Sequence, residues 1–202
     1  MLSIDPNINT ERDNYKLLIG GIIPRPIAFV TSLAEDGTVN GAPFSYYNVV
    51  SSDPPLISLA IQRKNGGMKD TARNILKEKA FVVHGVDTQN LNDINETAAN
   101  LLPDESEIKI TNLSLVDSDK IKVPGIKESK IRMECILETS LSLGDNGEIS
   151  ADLIIGRVVK FHIDEDIYNK GRIDPIGLDA ISRLTGSNYA KIGEIISIER
   201  PK

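Results

Sequence analysis

The sequence contains no tryptophan, a single cysteine and only 4% aromatic residues, so any core must rest on isoleucine, leucine and valine. One thiol forms neither an internal disulfide nor a multi-cysteine metal site. Cys135 falls in the alternating stretch Ile131-Arg-Met-Glu-Cys-Ile-Leu and is expected to be a small buried hydrophobe rather than a reactive group. There is no basic run, and a net charge of −6 gives no general electrostatic reason to bind nucleic acid or an anionic membrane. No apolar stretch approaches the roughly 20 residues of a membrane-spanning helix. The start, Met1-Leu-Ser-Ile-Asp-Pro, lacks the basic segment and apolar run of a signal peptide, so a cytoplasmic location is expected. Catalytic signatures are also missing. No Gly-x-Gly-x-x-Gly, phosphate loop or nucleophile elbow occurs, and Asn65-Gly66-Gly67-Met68-Lys69 only hints at a phosphate loop. His84 and His162 lie far apart in predicted strands with no second ligand at metal spacing, so each is expected to be a packed or surface histidine and no metal is expected.

What is present suits one domain over residues 1–202, with 40% apolar and 26% charged residues. Pro26–Leu33 reads as a strand, Asp36-Gly37 as a hairpin turn and Val39–Phe44 as the return strand. Leu56–Ile61 and Ala80–Val86 are further strands, with a helix over Lys69–Lys79 between them. Thr88–Asn100 and Pro103–Lys109 read as short amphipathic helices in an excursion too small to bury its own core. Lys130–Leu143 and Glu148–Ile163 flank the Asn146-Gly147 turn. Ile149, Ala151, Leu153 and Ile155, followed by Val158 and Val159, predict one buried face with a bulge near Gly156. Leu178–Leu184 reads as helical and Gly193–Ile198 as a last strand. Hairpin-linked strands without βαβ alternation predict a mainly β antiparallel barrel with helical excursions.

Small hydrogen-bonding residues gather at strand ends. Thr31 and Ser32 end the first strand, and Ser45, Asn48, Ser51 and Ser52 crowd a stretch that also holds Phe44, Tyr46 and Tyr47. Such a segment offers apolar contact for a planar ring and partners for a polar edge, as an isoalloxazine requires. Taken singly, each residue equally reads as a turn cap. Gly66-Gly67 then precedes a helix start where amide hydrogens, the dipole, Lys69 and Thr71 favour a phosphate, with Asp70 as the cap. An ordinary capped helix with a surface lysine explains those residues equally well.

Pro24-Arg-Pro-Ile-Ala-Phe-Val-Thr-Ser, Asn40 through Leu56, and Lys69-Asp-Thr-Ala-Arg-Asn-Ile follow one another in the order of a known pattern. Glu128-Ser through Met133-Glu-Cys, Gly156-Arg-Val-Val, Gly171-Arg-Ile-Asp and Arg183-Leu-Thr-Gly-Ser-Asn-Tyr continue it. From about Ile22 to Tyr189 the chain resembles the flavin reductase-like family, nearest to its flavoredoxin and nitrilotriacetate monooxygenase component B branch. The tail reads Leu-Thr-Gly-Ser where that family often has a more Gly-rich form. The resemblance implies an FMN-binding split barrel and a homodimer with flavin near the subunit interface. Its flavin contacts would fall on Thr31, Ser32, Ser45, Asn48, Ser51, Ser52, Lys69 and Thr71, with Arg183–Tyr189 closing the site. The implied activity is an NAD(P)H-dependent flavin reductase, with NADH or NADPH as co-substrate, that supplies reduced flavin or electrons to a partner monooxygenase or redox protein. An electron-transfer flavoprotein without a nicotinamide site is the alternative, and a non-enzymatic flavin carrier the third reading.

Overall fold

A computed structural model describes residues 1–99 and 106–201 of the chain. Helix α1 (Glu11–Gly21) begins at Thr10, whose Oγ1 accepts a hydrogen bond from the Asp13 amide at 3.1 Å. The chain then enters β1 (Arg25–Pro26), β2 (Ala28–Leu33), β3 (Val39–Phe44), β4 (Tyr47–Ser52) and β5 (Pro55–Gln62). Helix α2 (Asp70–Glu78) leads to β6 (Ala80–Gly85), and α3 (Leu91–Glu96) opens the excursion. Strands β7 (Leu115–Val116) and β8 (Gly125–Ile126) close it before the long hairpin of β9 (Ile131–Asp145) and β10 (Glu148–Ile163). The end carries β11 (Tyr168–Asn169), β12 (Arg172–Ile173), α4 (Pro175–Leu178), β13 (Ile181–Arg183) and β14 (Tyr189–Lys191).

Seven strands form one antiparallel sheet in the order β3-β2-β6-β9-β10-β5-β4, while β1, β13 and β14 make a separate small sheet. The fold is mainly β, as the hairpin pattern predicts. Both tight turns occur where the sequence places them. Asn146 and Gly147 have φ +50° and +84°, the backbone that a two-residue hairpin needs, whereas the first turn is a three-residue loop closed by Ala34 and Thr38 with only Gly37 left-handed at φ +88°. The bulge near Gly156 is present as a register shift between Ile155 and Gly156, where a Cβ would lie 2.4 Å from the Phe81 ring.

Strand β2 is buried on both faces, which accounts for its nearly unbroken apolar run. Ala28 and Val30 join Leu59, Ile61, Phe81, Ile154 and, from α2, Ala72 and Ile75 in the main core. Phe29 points the other way, against Ile94, Ile108, Leu113 and Ile126 of the excursion. The segment beyond β6 is therefore a cover for β2 and has no separate core. Within it, α3 spans Leu91–Glu96 and a 3-10 turn spans Glu107–Ile110. The predicted helices over Thr88–Asn100 and Pro103–Lys109 also run onto 100 and 103–105, which lie outside the described residues.

Four expectations are corrected. Ile27 interrupts the first predicted strand, so Arg25 and Pro26 pair with β13 instead of extending β2. On β10 the buried face is Asp152, Ile154, Gly156 and Val158, whereas Ile149 is exposed and Ala151, Leu153 and Ile155 are half-buried. Arg63 explains the reversal: its Nε and Nη2 donate to both Asp152 carboxylate oxygens at 2.9 Å, so an acid can lie inside. The predicted helix over Leu178–Leu184 stops early, because Asp179 adopts a left-handed backbone and Ile181–Arg183 pairs as a strand. Gly193–Ile198 is unpaired and exposed, and the last strand is Tyr189–Lys191.

Cys135 is buried, and burial pushes its thiol pKa up, as expected for an inert core cysteine. His84 is a core histidine as well. Its Nδ1 lies 2.9 Å from the Phe29 carbonyl and its Nε2 accepts the Ile126 amide at 2.9 Å, so the neutral ring carries its proton on Nδ1. Burial first, and then the Arg132 charge, push its pKa down to about 3. Between that value and the unfolded pKa of about 6.5, only the unfolded chain binds the proton, so stability falls as pH drops through this window. Replacing His84 with Gln is expected to flatten the dependence of the melting temperature on pH between about pH 6 and pH 4. An unchanged slope in that variant would place the acid sensitivity elsewhere.

Candidate functional site

Two clefts open at the corner where β3 turns into β4, one of about 280 Å³ and the other of about 340 Å³. Each alone is near the small end of the usual ligand range, about 300–1,000 Å³. They share Pro43, Phe44, Lys69 and Ala98, so they form two lobes on either side of the Phe44–Lys69 divide. Lys69 Nζ lies 5.8 Å from the centre of the Phe44 ring. Partial burial first, and the Lys64 charge second, lower the Lys69 pKa below the ordinary lysine value.

The first lobe is walled by α1 through Tyr15 and Ile19, by β1 through Arg25, by the Ser45-Tyr46 corner, and by the turn from Arg183 to Tyr189. The turn is held from two sides. Arg183 stacks over the Tyr189 ring at 4.5 Å, and the Tyr189 hydroxyl donates to Asn95 Oδ1 at 3.0 Å. Arg25, Lys69 and Arg183 all line this lobe, and among the described residues no carboxylate does, although the chain carries a net charge of −6. The lobe thus combines aromatic surface with uncompensated positive charge, which suits a flat anionic ligand.

The second lobe receives the start of α2. Lys69 is the N-cap with extended backbone and no side-chain cap, and Asp70 is the first helical residue, paired with Arg73. Asp70 is therefore not the expected cap. Lys64, Gly67 and Lys69 line this lobe at an uncapped helix start, which favours a phosphate, while Asp70 and Glu107, in the same lining, set acids beside them. Its floor is a polar network. Asn40 Oδ1 accepts from Thr71 Oγ1 at 2.8 Å and from Ser32 Oγ at 3.3 Å, while Asn40 Nδ2 donates to both Glu107 carboxylate oxygens at 2.8 Å. Burial raises the Glu107 pKa, partly offset by the hydrogen bonds from the Gly41 amide and Asn40.

Of the eight sequence-predicted residues, Ser45, Lys69 and Thr71 line the lobes, and Ser32 supports the floor from behind. Thr31 is fully buried and donates to the Pro124 carbonyl at 2.7 Å, on the excursion side of β2. Asn48, Ser51 and Ser52 lie on β4 and line neither lobe. Asn48 Oδ1 accepts the Val49 amide at 2.8 Å, and Ser51 Oγ accepts the Asp53 amide at 3.3 Å. Sequence reasoning assigned no role to Arg25, Tyr15 or Asn95. Arg25 carries a visible signal, a cation set between two prolines.

A second titratable group lies away from the cleft. Asp119, Glu134 and His162 bring potential ligand atoms within 4.8 Å of one another. Glu134 already accepts from the Asp119 and Lys120 amides at 2.7 Å and meets His162 Nε2 at 2.6 Å, so its carboxylate is satisfied within the fold.

Asn40→Ala removes the hub of the floor network and leaves Thr71 and Glu107 without their buried partner. It is expected to cost about 1–3 kcal/mol in denaturant unfolding with the β-rich circular dichroism retained. A loss well below about 0.5 kcal/mol would show that water replaces the amide.

Residues 20–177 match the family described as flavin reductase like domain. The chain is similar to the crystal structure of nitrilotriacetate monooxygenase component B from Bacillus cereus, with 56% identity, 98% of each chain covered and a TM-score of 0.96. It is also similar to Pseudomonas fluorescens 2-nitrobenzoate 2-nitroreductase NbaA, with 29% identity, coverage of 99% and 96%, and a TM-score of 0.89. A protein of Bacillus subtilis, YwrF, is 54% identical over 95% of both chains.

Proposed function

The chain belongs to the flavin reductase-like family, and from that premise we propose that it binds FMN across the two lobes and serves as an NAD(P)H-dependent flavin reductase. The observation that carries this reading is the division of the cleft at Phe44 and Lys69. An aromatic, cationic lobe suits the flavin ring, and a lobe at an uncapped helix start suits its phosphate. Lys69 and the first amides of α2, that of Thr71 included, hold the phosphate, with the Thr71 hydroxyl committed to Asn40, while Ser45, Tyr46 and Phe44 border the ring. Bound flavin supplies the hydride-accepting chemistry, and the chain supplies binding, orientation and exclusion of water. Such a division of labour needs no acid or base among the side chains of the first lobe.

A homodimer belongs to the same proposal. Leu141, Leu143 and Ile149 at the tip of the β9–β10 hairpin are 57%, 39% and 39% exposed, as an unpaired interaction surface would be. Asn48, Ser51 and Ser52 remain flavin contacts only through such a dimer, since β4 is an open edge of the sheet. The similarity to a monooxygenase component supports a partner monooxygenase as the consumer of reduced flavin.

NADH or NADPH added anaerobically to the FMN-loaded protein is expected to bleach the flavin without a second protein. Reduction by dithionite alone would favour an electron-transfer flavoprotein, and failure of FMN to co-elute would remove the flavin reading. Lys69→Ala is expected to weaken FMN by about 10- to 150-fold, the equivalent of about 1.5–3 kcal/mol, and to leave riboflavin nearly unaffected. Equal losses for both ligands would move the phosphate away from Lys69.

A further inference from the structure

Arg25 is 6% exposed and forms part of the first lobe's wall. Its Nη1 donates to the Ile19 and Ile22 carbonyls at 2.7 Å each, and its Nη2 donates to the Leu184 carbonyl at 2.8 Å. Of the five guanidinium N–H groups, two are left over: the second on Nη2 and the one on Nε. Among the described residues, Arg25 Nε is the single buried side-chain nitrogen or oxygen with no hydrogen-bond partner. The guanidinium also has no carboxylate partner among the described ion pairs. A buried N–H without an acceptor, on a charge balanced only by carbonyl dipoles, is a costly arrangement that a folded chain rarely keeps without use. Both deficits belong to a residue in the wall of a lobe that has aromatic surface and no acid.

We propose that Arg25 is the positioning residue for the ring end of the ligand, its Nε–H finding its acceptor when a ring carbonyl or anionic ring oxygen is seated in the first lobe. This inference rests on the flavin reading, since the pyrimidine edge of flavin offers two carbonyl oxygens and gains negative charge on reduction. The three carbonyl bonds couple that contact to the structure around it. Two of them end on the last turn of α1 and the residue after it, and the third ends on the turn that carries Arg183 and Tyr189. Ring binding therefore tightens both walls of the lobe, and the cation favours the reduced, more negative form of the ring.

The test uses the wild-type chain labelled with 15N-arginine, with the Arg25 Nε–H signal assigned by through-bond correlation to its backbone and followed as riboflavin and then FMN are added. Both ligands are expected to move this signal and slow its exchange with water, because the contact is to the ring and not to the phosphate. Arg25→Lys, which keeps the charge and loses the fork, is expected to weaken riboflavin and FMN alike by about tenfold or more, and Arg25→Gln, which also removes the charge, to lower the midpoint potential of bound flavin. A signal already slow to exchange and unmoved by saturating riboflavin would assign Nε–H a buried water and overturn the inference, as would a loss confined to FMN. If wild-type protein binds neither ligand, the flavin reading falls and Arg25 with it. If it binds both with the Arg25 signal unmoved, only the Arg25 inference falls.

Discussion

Burial of β2 on both faces is the constraint on which the rest of the molecule depends. A strand covered on one side only would leave either Val30 or Phe29 in water, so α2 and the excursion between β6 and β9 are both needed. Each cover is tied to the strand by polar contacts that apolar packing cannot supply. His84 and Thr31 join β2 and its neighbour β6 to the excursion through Phe29, Ile126 and Pro124. Ser32 meets Asn40 of β3 and Asn74 of α2 at 3.3 Å. With both covers fixed, the start of α2 and the corner after β3 are held against each other, and the cleft is what remains between them.

Local features were legible because their causes are local. Gly37 and the Asn146-Gly147 pair specify hairpins through the left-handed backbone of one and two residues, and the Gly156 bulge shows as a break in alternation. The inward face of β10 was not legible, because it depends on Arg63, remote in sequence, supplying a partner for Asp152. Leu178–Leu184 has helix-compatible composition, yet its pairing with β1 and β14 is a tertiary fact. The site divides along the same line. Lys69 and Thr71 follow from a Gly pair before a helix, a pattern readable in six residues. Thr31 matches the sequence pattern equally well, but it lines neither lobe and its hydroxyl donates to the Pro124 carbonyl at 2.7 Å on the excursion side. Arg25 stands out as a cation between two prolines, but its partners, the Ile19, Ile22 and Leu184 carbonyls, are fixed only when α1 and the Leu184 turn converge on it.

Charge distribution separates the site from its surroundings more clearly than composition does. The chain is acidic overall, yet three basic side chains meet in one lobe without an acid. Acidic surroundings with a positive recess focus an anionic ligand toward the recess and discourage anions elsewhere, which gives selectivity without a broad basic surface. Lys69, at the divide, lines both lobes and lies over the Phe44 ring, so its charge is shared between the two recesses.

Perturbed titration is usually a pointer to function, but here its strongest cases point to the core. Burial pushes Tyr47 up to about 12 and His84 down to about 3, and it raises Cys135; none of the three lines either lobe. Each is a neutral group packed where its charged form would be poorly solvated. A site in which the cofactor performs the chemistry has no need of a side chain poised near neutrality, since no proton must leave or reach one at a tuned pKa. What it does need is fixed charge, aromatic surface and donors left unpaired until the ligand arrives. In this fold those three properties coincide around Arg25, Phe44 and Lys69, while the most displaced titrations mark only how tightly the barrel is packed.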